Sequence, residues 1–194
     1  MDKIKNEHFV SYADILDKQT LSLFENKTNQ NISQFSITSE NFAINIDCLI
    51  KSCNLTIEEK ALENNQSGYL DLENNEIVIN KNEPLHRKRF TKAHELAHYL
   101  HAHHGTNLRT NDLNMYTMEE DYENEKIAND TAANILMPKL QIEALCEFFK
   151  TENKIVDNSV LNSQQKEALY NFISMKLEVS KSAANYRLIN LGLL

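Results

Sequence analysis

Residues 89–98 read RFTKAHELAH, and within them His94 and His98 stand four positions apart. In a helix, residues i and i+4 project from the same face, so both imidazoles can bind one metal ion. Glu95 is turned about 100° away around the helix, where it can accept a proton from a metal-bound water. Leu96 is apolar, as a buried helix requires. This stretch predicts a buried helix that carries a metal site and a general base.

Zinc suits such a site, because two imidazoles and one carboxylate leave a fourth position open for water. The third ligand must come from elsewhere in the chain. His104 has the metzincin spacing from His94, but that pattern needs a glycine where this sequence has His101. A helix that continues past His101 cannot bring His104 back to the ion. The alternative is a carboxylate on the next predicted helix, either Glu125 or Glu123.

The composition is that of a globular protein: 194 residues, 41% hydrophobic and 25% charged, which excludes a wholly disordered chain. The net charge of −8 argues against nucleic-acid binding, which needs a basic surface. No stretch approaches the ~18 apolar residues of a membrane span, and residues 1–7 lack the apolar run of a signal peptide. We therefore expect a cytoplasmic protein with no membrane partner. The basic residues between Lys81 and Lys92 form either a solvated helix face or a surface that docks an acidic partner.

A small sheet is predicted just before the metal-binding helix. Its strands are expected at residues 55–57, 69–72 and 77–79, which are short stretches rich in apolar residues. The segment Glu73–Glu76 contains two asparagines, which suit a hairpin turn. We expect a three-stranded antiparallel sheet that packs on the metal-binding helix, which starts near Pro84 and stops at Gly105.

The remaining segments read as helices, which makes the fold class α+β and mostly helical. They are predicted at residues 8–25 (one helix or a helical pair), 39–52 (with Ser39 as the N-cap), 118–137 (ended by Pro138), and from 139 onwards with breaks near 151–162 and 179–180. We divide the chain into an N-terminal helical extension with a polar loop, a metal-binding domain and a C-terminal helical segment: residues 1–38, 39–150 and 151–194.

Three stretches together resemble the ImmA/IrrE family of metallopeptidases: RFTKAHELAH at 89–98, EKIAN at 125–129, and ANILMP at 133–138. The family pattern looks like R-F-T/S-x-A-H-E-x-x-H, followed by E-x-x-A-N-x-x-A and an L-x-P-type helix end. Residues 177–192 also resemble the family's helix-turn-helix-like C-terminal segment. The resemblance covers residues 40–194, so the first 38 residues have no clear equivalent.

This resemblance implies a zincin-like fold whose zinc ligands are His94, His98 and Glu125. Ile127 stands where the family often has a second glutamate, which removes an alternative ligand. Asn129 becomes a candidate partner that orients a zinc-binding histidine. His101 shares the face of the two histidine ligands; it either lines the cleft as a hydrogen-bond donor or oxyanion stabiliser, or is structural.

The resemblance further implies a cytosolic bacterial protease, often encoded on mobile elements, that acts as an anti-repressor by cleaving a helix-turn-helix transcriptional repressor. We expect Glu95 to be its catalytic general base and the substrate to lie extended along an edge of the small sheet. One alternative is an inactive binding module that sequesters the regulator. Another is a DNA-binding regulator, which the net charge disfavours, since the C-terminal segment contains only Lys176, Lys181 and Arg187 as bases.

Overall fold

The computed structural model describes residues 9–28, 30–63, 66–102, 119–155 and 160–194. Its helices are α1 Tyr12–Ile15, α2 Lys18–Glu25, α3 Ile46–Ser52, α4 Leu85–His101, α5 Glu119–Leu136, α6 Lys139–Glu152, α7 Ser163–Leu177 and α8 Lys181–Asn190. Its strands are β1 Val10–Ser11, β2 Ser36–Ile37, β3 Thr56–Lys60, β4 Gly68–Asp71 and β5 Glu76–Asn80. The fold is α+β, as predicted. Within the described ranges, no helix has both the length and the apolar character needed to cross a membrane.

The sheet before α4 is mixed, so the prediction of a fully antiparallel sheet is wrong. Its strand order is β3-β5-β4, with β5 parallel to β3 and antiparallel to β4. The hairpin between β4 and β5 is confirmed, and Asn75 adopts the left-handed conformation there (φ 52°). The chain between β3 and β5 is long enough to act as a crossover, which a parallel pair requires. The spacing of the strands along the sequence therefore did not show that β3 pairs with β5.

Helix α4 begins directly after Pro84, as predicted, but it ends at His101 and not at Gly105, because Ala102 forms a left-handed cap (φ 54°). Proline suits this start because the first helical N–H groups have no partner within the helix. On one side α4 meets β4 at Gly68. A Cβ atom at this glycine would lie 2.5 Å from the Val78 carbonyl oxygen and 2.6 Å from Thr91 Cγ2. The close approach of β4 to α4 therefore depends on Gly68.

Helix α3 is shorter than predicted, since it starts at Ile46 and not at Ser39. The Asn45 side chain accepts a hydrogen bond from the Cys48 N–H and caps the helix. Before it, the Asn41 N–H donates to Thr38 Oγ1, a local bond that competes with helix formation. The Gln141 side chain from α6 binds the Phe42 carbonyl and holds this irregular segment against the body.

The predicted helical pair at the N-terminus is confirmed as α1 and α2, each capped by its preceding residue, Ser11 or Asp17. The sequence did not predict the short antiparallel pairing of β1 with β2. Buried apolar residues from all three predicted segments, including Phe24, Leu96 and Leu188, belong to one core cluster. The boundaries of the domain division stay a prediction.

Candidate metal centre

Three potential ligands converge where α4 packs against α5. His94 and His98 lie on one face of α4, and Glu125 lies on α5. His94 Nε2 is 3.2 Å from Glu125 Oε2, and His98 Nε2 is 3.0 Å from Glu125 Oε1. The two Nε2 atoms are themselves 3.0 Å apart. Among the described residues, these three form a cluster that could hold a metal ion.

The cluster has the dimensions of a single metal site. A tetrahedral ion with ligand bonds of about 2.0–2.2 Å separates its donor atoms by roughly 3.3–3.6 Å. The separations of 3.0–3.2 Å among these donor atoms are close to that value. His94 and Glu125 are 1% and 5% exposed, so the protein shields the cluster from bulk water. Two imidazoles and a carboxylate are ligands that divalent transition metals accept.

Glu125 is held in its ionised form. Burial by itself raises the pKa of this carboxyl, but hydrogen bonds to His94 and His98 outweigh that effect and hold the pKa well below its usual range. Metal binding requires the deprotonated carboxylate. The surroundings of Glu125 therefore favour the form that a metal needs.

The family model Peptidase_M78, described as the IrrE N-terminal-like domain, matches residues 50–189. The chain belongs to this family. The match runs from α3 into α8, so it includes both helices of the metal centre and confirms the ImmA/IrrE resemblance. Membership supports a metallopeptidase-type function. A search of the curated proteins finds no significant match to the chain.

In this Peptidase_M78 chain, Asn129 contacts a histidine of the cluster, as the resemblance implies. Its side-chain Oδ1 is 3.1 Å from His94 Nδ1. An amide oxygen can only accept, so His94 donates through Nδ1, and a metal that replaces the proton on Nε2 would bind the lone pair of that nitrogen. Such a bond fixes the tautomer and orientation of a metal-binding imidazole.

His101 is placed on the same side of α4 and is bonded to α5. Its Nε2 lies 2.9 Å from Thr131 Oγ1. Burial lowers the pKa of His101, and nearby His98 lowers it further, which favours the neutral imidazole. The sequence did not single out Thr131, because no local pattern shows which residue of α5 faces His101 on α4. A role for His101 in the reaction stays a prediction.

Among the residues that the structure describes, the other potential ligands are not part of the cluster. The Glu123 side chain is 55% exposed, and its carboxylate lies 3.9 Å from Lys126 Nζ. His104 lies outside the described residues. Glu95 is buried on α4 directly after His94, at 5% exposure, but it is not a member of the ligand cluster. This position is compatible with a role beside the metal, and that role stays a prediction.

Phe90 is a neighbour of the site that the sequence analysis did not single out. Its ring centroid is 6.4 Å from that of His94. The two residues are four positions apart in a helix, so they share a face. The same spacing rule that paired the histidines would have found this aromatic residue.

Proposed function

We propose that this chain is a zinc-dependent endopeptidase that hydrolyses a peptide bond in a partner regulatory protein, a helix-turn-helix transcriptional repressor. The convergence of His94, His98 and Glu125 within 3.0–3.2 Å carries this proposal. Family membership supports the metallopeptidase chemistry, and the ImmA/IrrE resemblance supports the regulatory substrate. The proposed enzyme acts in the cytoplasm, without a membrane and without direct nucleic-acid binding.

His94 and His98 would hold zinc through their Nε2 atoms, and Glu125 through its carboxylate. Bound zinc supplies Lewis acidity for the attack of water on a peptide carbonyl. Asn129 keeps the His94 ring in place by accepting the Nδ1–H. The ionised Glu125 offsets part of the positive charge of the ion.

Glu95 is the proposed general base. It follows His94 directly in α4 and is buried at 5% exposure, where an ionised group acts more strongly than in water. It accepts the proton of the attacking water and then passes a proton to the departing amine. General acid–base groups of this kind accelerate reactions by about 10²–10⁴-fold.

The substrate is proposed to lie extended along β4. In the described sheet, β4 is an edge strand, paired with β5, so its outer backbone groups are available to an added strand. Gly68 lets β4 approach α4 at Thr91, one turn before the first residues of the metal-binding motif. A peptide added to this edge would pass close to the metal-binding face of α4.

The test mixes the purified protein with a small helix-turn-helix repressor encoded in the neighbouring reading frame. We expect the zinc-loaded wild type to cleave it and a chelator to abolish cleavage. We expect Glu95→Gln to slow cleavage by about 10²–10⁴-fold while zinc content by elemental analysis is unchanged.

Two outcomes would redirect the proposal. Cleavage by Glu95→Gln at the wild-type rate would show that Glu95 is not the general base. Full biological activity of a variant that no longer cleaves would favour the alternative, a binding module that sequesters the regulator. A gel-shift assay at about 150 mM salt checks the expectation that the chain forms no complex with DNA.

A further inference from the structure

A cavity of about 260 Å³ lies between the start of α4 and the turn that joins α7 to α8. Helix α4 contributes His86, Arg87 and Phe90, and the C-terminal helices contribute Val179, Ser180 and Ala183. Residues from the helix-turn-helix-like segment therefore form one wall of a cavity on the metal-binding helix.

Phe90 connects this cavity to the metal centre. It lines the cavity, and its ring centroid is 6.4 Å from that of His94. Because the two residues are one helical turn apart, the cavity lies beside the metal centre in the direction of the N-terminus of α4. An extended peptide advances by about 3.3–3.6 Å per residue. The 6.4 Å between the two rings corresponds to about two residues of extended peptide, so substrate side chains within about two residues of a scissile bond at the metal would lie near the cavity.

The lining favours an apolar occupant. Phe90, Val179 and Ala183 present carbon surface, and Ser180 Oγ already accepts a hydrogen bond from the Ala183 N–H at 3.1 Å. The Arg87 guanidinium contacts Ser67 Oγ at 3.4 Å and lies 3.8 Å from a carboxylate oxygen of Glu83. Arg87 and Ser180 thus have partners of their own, and the third polar residue of the wall, His86, is exposed to solvent. A charged side chain would therefore gain little from the interior of the cavity.

We propose that this cavity receives an apolar side chain of the substrate next to the scissile bond, and that the C-terminal helices thereby determine cleavage specificity. This inference rests on the proposed function. A branched or unbranched aliphatic side chain such as leucine or methionine fits the apolar lining. The small side chain of Ala183, in the first turn of α8, leaves the volume of the cavity free. A larger side chain at this position would occupy part of that volume.

The test uses metal-chelating peptide hydroxamates and needs no turnover. Two dipeptide hydroxamates differ only in the side chain adjacent to the hydroxamate, leucine in one and glycine in the other. Isothermal titration calorimetry measures their binding to the zinc-loaded wild type. We expect the leucine compound to bind roughly 10- to 100-fold more tightly, because its side chain is buried.

Two variants change the cavity in opposite directions. Ala183→Leu fills it, so the preference for leucine over glycine should fall to less than about threefold, with the glycine compound and zinc content unaffected. Val179→Ala enlarges it, so the affinity for a phenylalanine hydroxamate should rise relative to leucine. Ala144→Leu, on the exposed surface of α6, is the matched control and should leave all affinities unchanged.

The outcomes separate the two proposals. Equal binding of both compounds by the zinc-loaded wild type, or an undiminished leucine preference in Ala183→Leu, would overturn the pocket and leave the proposed peptidase intact. A wild type that binds no zinc would overturn the peptidase itself, and the pocket with it. Circular dichroism of each variant confirms that a changed affinity does not come from unfolding.

Discussion

Glu125 is the residue whose position decides whether a metal centre exists. Its two carboxylate oxygens lie 3.2 Å from His94 Nε2 and 3.0 Å from His98 Nε2, in a buried site. A buried carboxylate is costly unless positive charge or hydrogen bonds compensate it. The hydrogen bonds to the two imidazoles supply part of that compensation, and a divalent ion would supply more.

Replacement of this carboxylate should therefore disrupt metal binding. We expect Glu125→Ala to lower the affinity for zinc by more than about 100-fold, beyond the loss typical of residues that merely support a ligand. Competition with a chromophoric chelator measures it. Glu123→Ala, two residues away on the exposed side, should bind zinc like the wild type. An unchanged zinc stoichiometry in Glu125→Ala would move the third ligand to Glu123 or His104.

Asn129 is expected to act on the metal through His94 alone. Asn129→Ala removes the acceptor 3.1 Å from His94 Nδ1, so zinc affinity should fall about 10- to 100-fold. Asn129→Asp keeps an acceptor and should restore most of the affinity. Asn134→Ala, on the same helix, is the control. Equal affinities for wild type and Asn129→Ala would show that other contacts orient the ring.

At the level of the element, α4 is braced by ion pairs opposite its metal-binding face. Lys88, Arg89 and Lys92 are three of the five basic residues between Lys81 and Lys92 for which the sequence predicted either a solvated face or a docking surface. Each lies near a carboxylate from another part of the fold: Glu59 at 2.6 Å, Glu178 at 3.6 Å and Asp47 at 3.0 Å, respectively. Partly exposed pairs contribute little stability. Their effect is to fix how α4 sits against β3, α3 and the turn between α7 and α8.

The packing of β4 on α4 depends on Gly68. In Gly68→Ala, the added Cβ would meet the Val78 carbonyl oxygen at 2.5 Å and Thr91 Cγ2 at 2.6 Å. Because one of these atoms is backbone, the strand must shift. We expect a loss of about 1–3 kcal/mol in the free energy of unfolding. Urea titration followed by circular dichroism measures it, and an unchanged midpoint would show that the sheet adjusts without cost.

At the level of the whole molecule, the N-terminal segment is part of the common core. Phe24 is fully buried in the same cluster as residues of α4 and α8. The Asn45 N–H donates to the Tyr12 hydroxyl at 2.7 Å, and Lys27 lies 5.0 Å from the centre of the Tyr99 ring on α4. The described part of the segment without a clear counterpart in the ImmA/IrrE resemblance, residues 9–28 and 30–38, thus supports the metal-binding helix.

This shared core predicts cooperative unfolding. We expect Phe24→Ala to lower the free energy of unfolding by about 3–5 kcal/mol, in a single transition with the rest of the chain. Phe9→Ala, at a side chain that is 61% exposed, should change it by less than about 0.5 kcal/mol. Urea titrations monitored by far-ultraviolet and tyrosine signals would coincide. A separate early transition would show that the N-terminal segment unfolds alone.

The sequence predicted those features that depend on local periodicity. The i, i+4 spacing placed His94 and His98 on one helical face, and Pro84 marked its start. The hairpin between β4 and β5 followed from two short apolar stretches on either side of a turn rich in asparagine. The parallel neighbour of β3 could not be predicted in this way, because strand order depends on which long-range pairing buries most apolar surface. The early start assigned to α3 failed for a related reason, since caps and contacts from other elements hold the preceding segment.

The residues alone established a histidine pair with a neighbouring glutamate on a helix, because a helix relates positions i and i+4 by its own geometry. They disfavoured His104 by helix geometry and left the third ligand open between Glu125 and Glu123, and only the resemblance favoured Glu125. The packing of α5 on α4 brings the Glu125 carboxylate within 3.0–3.2 Å of both imidazoles. It also brings Thr131 to His101, and the C-terminal helices bring Ala183 to Phe90. Contacts between distant segments are set by how side chains interlock in the core, which no local pattern records.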